Sequence, residues 1–174
     1  MVTTYKNGKQ MRVIVWAAFW GNGERYSLFI LERDFESKKH GYTADLYIQV
    51  LEYRLLEYYY DELIFMQDNA PIHTAKKVKE WFEENGIDTT DWPLYSPDFN
   101  PIEYAWWELK KRVQKMFPKV MNAKGELEED KKALKEALKA TWLTILNSFF
   151  ESLVESMPNR IKACIEAKGW HTKY

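Results

Sequence analysis

The stretch MRVIVWAAFWGNGERYSLFIL, residues 11–31, restricts the possible folds more than any other part of the chain. Met11 to Trp20 is rich in β-branched and aromatic residues, Gly21-Asn22-Gly23 is a turn signal, and Tyr26 to Leu31 is a second β-rich run, so the segment predicts a β-hairpin. Asn7-Gly8 predicts a shorter hairpin ahead of it, returning Val2 to Tyr5 onto the long strand. A hairpin needs a core to lie on, and this chain can supply one. Its 174 residues suggest one domain, and 46% are hydrophobic and 16% aromatic, a globular composition and not a disordered one.

Beyond the hairpin the pattern alternates between helix and strand. Thr43 to Tyr60 reads as a helix capped by Thr43, with Leu46, Val50, Tyr53, Leu55 and Leu56 near one face. Glu62 to Met66 is short and apolar and predicts a buried strand that stops at an acid, Asp68. Thr74 to Asn85 places Val78, Trp81 and Phe82 on one helical face, Gly86 closes that helix, and Ile87 to Trp92 predicts a short strand. The order β, β, α, β, α, β is that of an α/β fold. Prolines hold YSPDFNP, residues 95–101, as an extended loop until Pro101 opens a helix running to about Met116. Residues 118–127 contain Pro, Asn and Gly and predict a loop. Helical spacing then covers Glu126 to Met157 through Leu134, Leu138, Trp142, Ile145, Leu146, Phe149, Leu153 and Val154, and a last helix runs from Asn159 to Lys168, before Gly169.

Charge and cysteine content exclude several function classes. Twenty-five basic against 26 acidic residues give a net charge of -1, so no global positive field marks the chain for nucleic acid, and any such binding has to use local patches. The single cysteine, Cys164, excludes an internal disulfide and fits a reducing compartment, and three scattered histidines, His40, His73 and His171, give no zinc spacing. No apolar run approaches the ~20 residues of a membrane span, and MVTTYKNGKQ has no signal-peptide character, so a soluble intracellular protein without a membrane partner is expected.

Two acids stand out. Asp68 sits at the carboxyl end of a predicted strand, an edge where ligand sites of open α/β sheets gather; equally, Asp and Asn ahead of a proline are common turn-formers. Glu103 lies three residues after Asn100 with Pro101 between, a capping-box pattern in which the Glu serves only the helix start. On local evidence the cap is the better reading of Glu103, and Asp68 is open.

Taken together the blocks are more specific. Asp68-Asn69-Ala70-Pro71-Ile72-His73, Trp92-Pro93, Tyr95-Ser96-Pro97-Asp98 and Asn100-Pro101-Ile102-Glu103, followed by Trp106 to Lys110, resemble the catalytic core of the Tc1/mariner transposases, particularly the Tc1-like branch. Thirty-four residues lie between Asp68 and Glu103, the spacing of that branch. VIVWAAFWGNG and the C-terminal SMPNRIKACIEAKGWHTKY are similar to the family as well, so the resemblance spans nearly the whole chain. It implies an RNase H-like mixed sheet flanked by helices, with further helices at the C-terminus, and metal-dependent cutting and joining of DNA. By this resemblance Asp68 and Glu103 are the second and third of three metal-binding, catalytic carboxylates. The cofactor is Mg²⁺ or Mn²⁺, as a pair about 3.5 to 4 Å apart held by carboxylate oxygens. Transposon-end and target DNA, a nuclear location and the option of a homodimer are implied too.

The resemblance also implies features that this sequence does not show. The family's first metal-binding Asp lies on the central first strand, ahead of the hairpin, where this sequence has no acid; Glu24, Glu32, Asp34 and Glu36 come in or after it and lack a rigid mount. The family's N-terminal helix-turn-helix region is not seen either. The expectation is a truncated catalytic domain, inactive by itself; the alternative is a transposase-derived module that binds protein or nucleic acid without catalysis. The weaker DNA-binding candidates are His73, Lys76, Lys77, Lys110, Lys111 and Arg112, each of which reads as well as a solvated helix face or, for His73, as a backbone-bonded helix start. Trp106-Trp107 reads as core plus surface, and Asp91 and Asp98 as turn residues.

Overall fold

The computed structural model describes residues 2–3, 12–36, 41–60, 62–93, 96–123, 128–170 and 172. The Asn7-Gly8 turn, His40, Tyr95, His171 and the side chain of Asp98 lie outside the described set. The chain divides into two compact units, one of residues 1–31 with 101–174 and one of residues 32–100. No helix among the described residues is long and apolar enough to cross a membrane.

The first unit is built on the predicted hairpin. β1 (Val2–Thr3), β2 (Arg12–Trp16) and β5 (Phe29–Leu31) form an antiparallel sheet in the order β1-β2-β5, and β3 (Phe19–Trp20) pairs with β4 (Glu24–Arg25). The expected β1 pairing is present, with Val2 opposite Val13. The long hairpin changes register partway. Trp16 faces Phe29, yet Phe19 faces Arg25, so Ala17 and Ala18 stand against Tyr26, Ser27 and Leu28 and the return strand carries one extra residue. Such a bulge bends and twists a hairpin, here with Tyr26 and Leu28 buried and Ser27 exposed.

Five helices among the described residues complete this unit: α3 (Pro101–Met116), α4 (Pro118–Met121), α5 (Glu128–Leu143), α6 (Asn147–Glu155) and α7 (Met157–Glu166), where α1 (Ala44–Arg54) and α2 (Lys76–Glu84) belong to the second unit. Val13, Val15, Leu28 and Ile30 from the strands share one core with Ala105, Trp106, Leu109 and Val113 of α3, Leu134, Leu138 and Trp142 of α5 and Phe150 of α6. Two expectations are corrected. Residues 118–127 are not all loop, because Pro118 opens α4, whose Met121 reaches the core. The helical run 126–157 is broken at residues 144–146, and Leu146 is exposed. The break is possible because the carbonyls it strands find donors: Arg25 bonds those of Trp142 at 3.4 Å, Leu143 at 3.5 Å and Ile145 at 2.6 Å, and Arg112 bonds that of Thr144 at 3.1 Å. The last helix begins at Met157 and not Asn159.

In the second unit α1 (Ala44–Arg54) starts as predicted, with Thr43 Oγ1 accepting from the Leu46 amide at 3.2 Å. It ends well before Tyr60. Tyr47, Val50 and Leu51 face α2 (Lys76–Glu84), whose Val78, Trp81 and Phe82 are buried as expected and whose exit is turned by Gly86 at φ 63. The buried strand expected over Glu62–Met66 shrinks to a single parallel bridge between Phe65 and Thr89, and Ile64 is 68% exposed. Phe65 uses both backbone groups on the same neighbour, donating to Asp88 O at 2.7 Å and accepting from Thr90 at 3.4 Å. Groups of Ile64 and Met66 point to the opposite edge, where no strand pairs among the described residues, and one bridge does not sustain a ladder. The loop after it contains a 3₁₀ turn, Pro97–Phe99, in place of a fully extended run.

The hairpin tip is fixed against the break between α5 and α6. Gly23 has φ 82, and a Cβ there would fall 2.1 Å from the Asn147 carbonyl oxygen, whereas one at Gly21 would meet nothing within 4 Å. Arg25 adds a charged contact over the Phe150 ring, 4.7 Å from its centroid. Arg25→Ala should therefore cost about 1.5–3 kcal/mol, the range for hydrogen bonds to a charged group, and lower the melting temperature by several degrees. Gly23→Ala should do comparable damage and Gly21→Ala distinctly less; thermal melts followed by circular dichroism check the order.

Candidate active site

Asp68 lies just beyond the Phe65 bridge, at the start of the turn that leads into α2, with its side chain half exposed. Its Oδ1 accepts from the Ala70 amide at 3.0 Å, the contact of a turn-former. The same oxygen lies 2.6 Å from Nδ1 of His73. An ionised carboxylate only accepts, so Nδ1 carries the proton and donates. Oδ2 has no hydrogen-bond partner among the described residues. The hydrogen bond from His73, aided by the Ala70 amide and opposed by partial burial, holds Asp68 below the usual carboxylate range. The side chain is thus an anion at neutral pH with one oxygen occupied and one open.

His73 is itself held. Its backbone amide donates to Ala70 O at 2.8 Å, and its ring lies 4.4 Å from that of Tyr47 at 35°. Tyr47, on the buried face of α1, donates from its hydroxyl to Gln67 Oε1 at 2.6 Å, and Gln67 Nε2 donates to the His73 carbonyl at 3.5 Å. Asn69 closes the turn from the other side, donating to Trp92 O at 2.7 Å. Sequence reasoning named His73 but not Tyr47 or Gln67. The available signal was the hydroxyl of a tyrosine on an otherwise apolar helix face, which needs a buried partner.

Glu103 stands on the first turn of α3 and is exposed. Asn100 ahead of it is buried and extended at φ -84, ψ 110, the backbone a helix N-cap needs. Asp68 and Glu103 belong to different units. Both offer the hard oxygen donors that Mg²⁺ or Mn²⁺ prefers, and the open Oδ2 of Asp68 suits a single-oxygen ligand. Among the described residues no three His, Cys, Asp or Glu side chains gather into a group able to hold a metal.

The basic candidates divide. Arg112 is occupied, its Nε 2.6 Å from Glu108 Oε1 and its Nη1 on the Thr144 carbonyl, with Glu108 itself mostly buried. Lys111 lies 3.8 Å from Glu108 and 4.8 Å from the centre of the Trp107 ring. Lys76 pairs with Glu80 at 2.8 Å and Lys77 with Asp45 across α1 and α2. Exposed pairs of this kind are weak and leave the lysines free to exchange partners. Lys110 is half-buried on α3. Trp106 is core, 5.5 Å from Trp142, and Trp107 is 60% exposed, as the sequence predicts.

The chain is similar to known proteins. The sequence profile of the family described as DDE superfamily endonuclease matches residues 30–124. The Tcb2 transposase of Caenorhabditis briggsae is 38% identical over 111 residues, 64% of this chain and 37% of that protein. The Tc3 transposase of Caenorhabditis elegans is 33% identical over 176 residues, 97% of this chain and 48% of the relative. The chain therefore spans less than half the length of either. Among solved structures, the catalytic domain of Mos1 transposase with raltegravir and Mn matches with a TM-score of 0.64 at 20% identity, over 99% of this chain and 82% of that one. At that identity the likeness establishes the fold, which is the RNase H-like one.

The low proton affinity of Asp68 ties stability to pH. A carboxylate whose folded pKa lies below its unfolded one stabilises the fold above the unfolded value, near pH 4, and that contribution is lost as pH falls through the folded value. The difference in urea midpoint between the native chain and Asp68→Ala should accordingly be largest near pH 7 and shrink progressively as the pH falls below about 4. A gap that widens on acidification would contradict the assigned hydrogen bond.

Proposed function

Because the chain belongs to the DDE superfamily endonucleases, in their Tc1/mariner transposase branch, we propose that it is the catalytic-core portion of an enzyme that cuts and joins DNA with Mg²⁺ or Mn²⁺. The observation that carries this reading is the state of Asp68: ionised, fixed through Oδ1, and open at Oδ2. A residue that only formed a turn would need the Ala70 bond and nothing more.

In this reading Asp68, through Oδ2, and Glu103, through its carboxylate, are the acids that would hold divalent ions. The bound ions supply activation of the attacking oxygen and stabilisation of the leaving oxygen in an in-line displacement. The chain's own groups do the holding. Asp68 is fixed by a tight turn and Glu103 by the first turn of a helix whose buried face is packed, which limits the motion a ligand set can tolerate. Lys76, Lys77, Lys110 and Lys111 are the groups left to meet phosphate oxygens, while Arg112 is committed to Glu108 and Thr144.

Whether the two acids serve one metal site is testable without turnover. Mn²⁺ binding followed by the electron-spin resonance signal of the free ion should weaken in Asp68→Ala and in Glu103→Ala, and the double variant should lose much less than the sum of the two, because either loss already disables a common site. Additive losses would assign the two acids to separate sites and leave Glu103 as a helix cap.

In the same reading, with Asp68 and Glu103 as its metal-holding acids, the 174 residues by themselves should not cleave or join duplex DNA in Mg²⁺ or Mn²⁺. Nicking that survives purification and vanishes in Asp68→Ala would overturn this and indicate that Glu32, Asp34 or a second copy supplies a third acid.

A further inference from the structure

Asp68 could be aimed by its turn alone, since the Ala70 amide already holds Oδ1. The structure adds a second donor on the same oxygen and a chain of contacts behind it. His73 Nδ1 reaches Oδ1 at 2.6 Å; the ring of Tyr47, itself 2% exposed, lies 4.4 Å from the imidazole; and Gln67 links the Tyr47 hydroxyl to the His73 carbonyl. Every member of this chain is tied at two points, and it ends on one oxygen of one carboxylate. We propose that His73, braced by Tyr47 and Gln67, is a positioning residue that reserves Oδ1 of Asp68 and turns Oδ2 toward the cation. The proposal rests on the metal reading of Asp68 given above.

The physical case is one of pre-ordering. A carboxylate held only by a turn amide can still rotate about its last bond and offer a cation either oxygen or both. Two N–H donors converging on Oδ1 oppose that rotation and fill the sites a second metal contact would use. The cost of ordering the ligand is then met on folding and not on metal binding. Partners that orient metal-binding groups from behind are typically worth 10- to 100-fold in affinity when removed. The competing explanation is that His73 only shapes the entrance to α2, through its amide bond to Ala70 O and its packing on Tyr47. That role needs the ring and the backbone, not the Nδ1 donor.

Three substitutions separate the roles. His73→Phe keeps a ring against Tyr47 but removes the donor; His73→Asn loses the ring but retains an N–H donor near the Nδ1 position; Tyr47→Phe removes only the hydroxyl that holds Gln67. With Mn²⁺ affinity and melting temperature measured on the full chain, His73→Phe should bind about tenfold more weakly, with a modest drop in melting temperature at neutral pH from the lost hydrogen bond to Asp68. His73→Asn should recover most of the affinity despite melting lower, and Tyr47→Phe should lose a few-fold. Equal losses in the Phe and Asn variants, or no loss in His73→Phe, overturn the inference. Asp68→Asn provides the reference: if it leaves Mn²⁺ binding untouched, the metal reading itself fails, and if it weakens binding while His73→Phe does not, only the positioning role fails. Nitrogen-15 spectra of the imidazole in the unaltered chain add a measurement that no folding defect can blur. His73 should carry its proton on Nδ1 at neutral pH and keep it there when Mg²⁺ is added, because the ion takes Oδ2. A proton on Nε2 alone, or loss of the Nδ1–H signal on adding Mg²⁺, overturns the assignment.

Discussion

Trp142 decides where α3 can lie. Its side chain is fully buried, its ring stands 5.5 Å from that of Trp106 and 5.0 Å from that of Phe150, and its indole N–H donates to the Tyr26 carbonyl at 2.8 Å. Tyr26 flanks the extra residue of the hairpin, where ladder pairing is interrupted and a carbonyl needs another donor. One side chain thus joins the strands, α3, α5 and α6. Of its two roles the volume counts for more, since emptying a tryptophan site costs about 3–5 kcal/mol and stranding a carbonyl about 1–3. With Ala105, Leu109 and Val113 all fully buried against the same core, α3 cannot rotate without bringing the charged Lys111 inward. The outward aim of Glu103 is set by residues that never touch it.

Asp68 is aimed by a different device. A carboxylate can serve a turn with one oxygen and a ligand with the other, so turn-former and functional acid are compatible descriptions of one residue. The Ala70 bond settles the backbone, the His73 bond selects the oxygen, and both favour the charged form that a hard cation needs. Glu103 allows the same double use, because a helix N-terminus favours an acid whether or not a ligand is near.

Much of the fold was legible in the sequence because its signals are local. The GNG turn between β-rich runs, Pro101 ahead of the α3 periodicity, and Val78, Trp81 and Phe82 on α2 all came out as read. The misses share a cause in contacts from far along the chain. Nothing near residue 144 says that a helix must stop there; the carbonyls of Leu143 to Ile145 are released because Arg25 and Arg112 arrive from other elements to take them. The strand over Glu62–Met66 has the right composition, yet a strand persists only with neighbours, and among the described residues Phe65 pairs only with Thr89. Around Asp68, His73 was a candidate from the sequence and is found on the Asp68 carboxylate, whereas Tyr47 was indistinguishable from a core tyrosine until its hydroxyl was seen on Gln67.

A helix N-terminus is also an awkward place to hold a cation. The partial charge of about +0.5 from the unpaired amides of α3 welcomes Glu103 but repels the ion that Glu103 would bind, so that one acid and one helix end together offer a divalent ion only about half a negative charge. Asp68 has a partial discount of its own, since the His73 and Ala70 donors draw charge from the carboxylate they orient. By this charge balance neither acid alone would be a strong cation site. Pooling carboxylates from separate elements removes the deficit, because each added acid brings a full charge while its positioning groups subtract only a fraction. The devices that hold each acid rigid would therefore also weaken it as a lone cation ligand, so a metal role for either would call for further carboxylates.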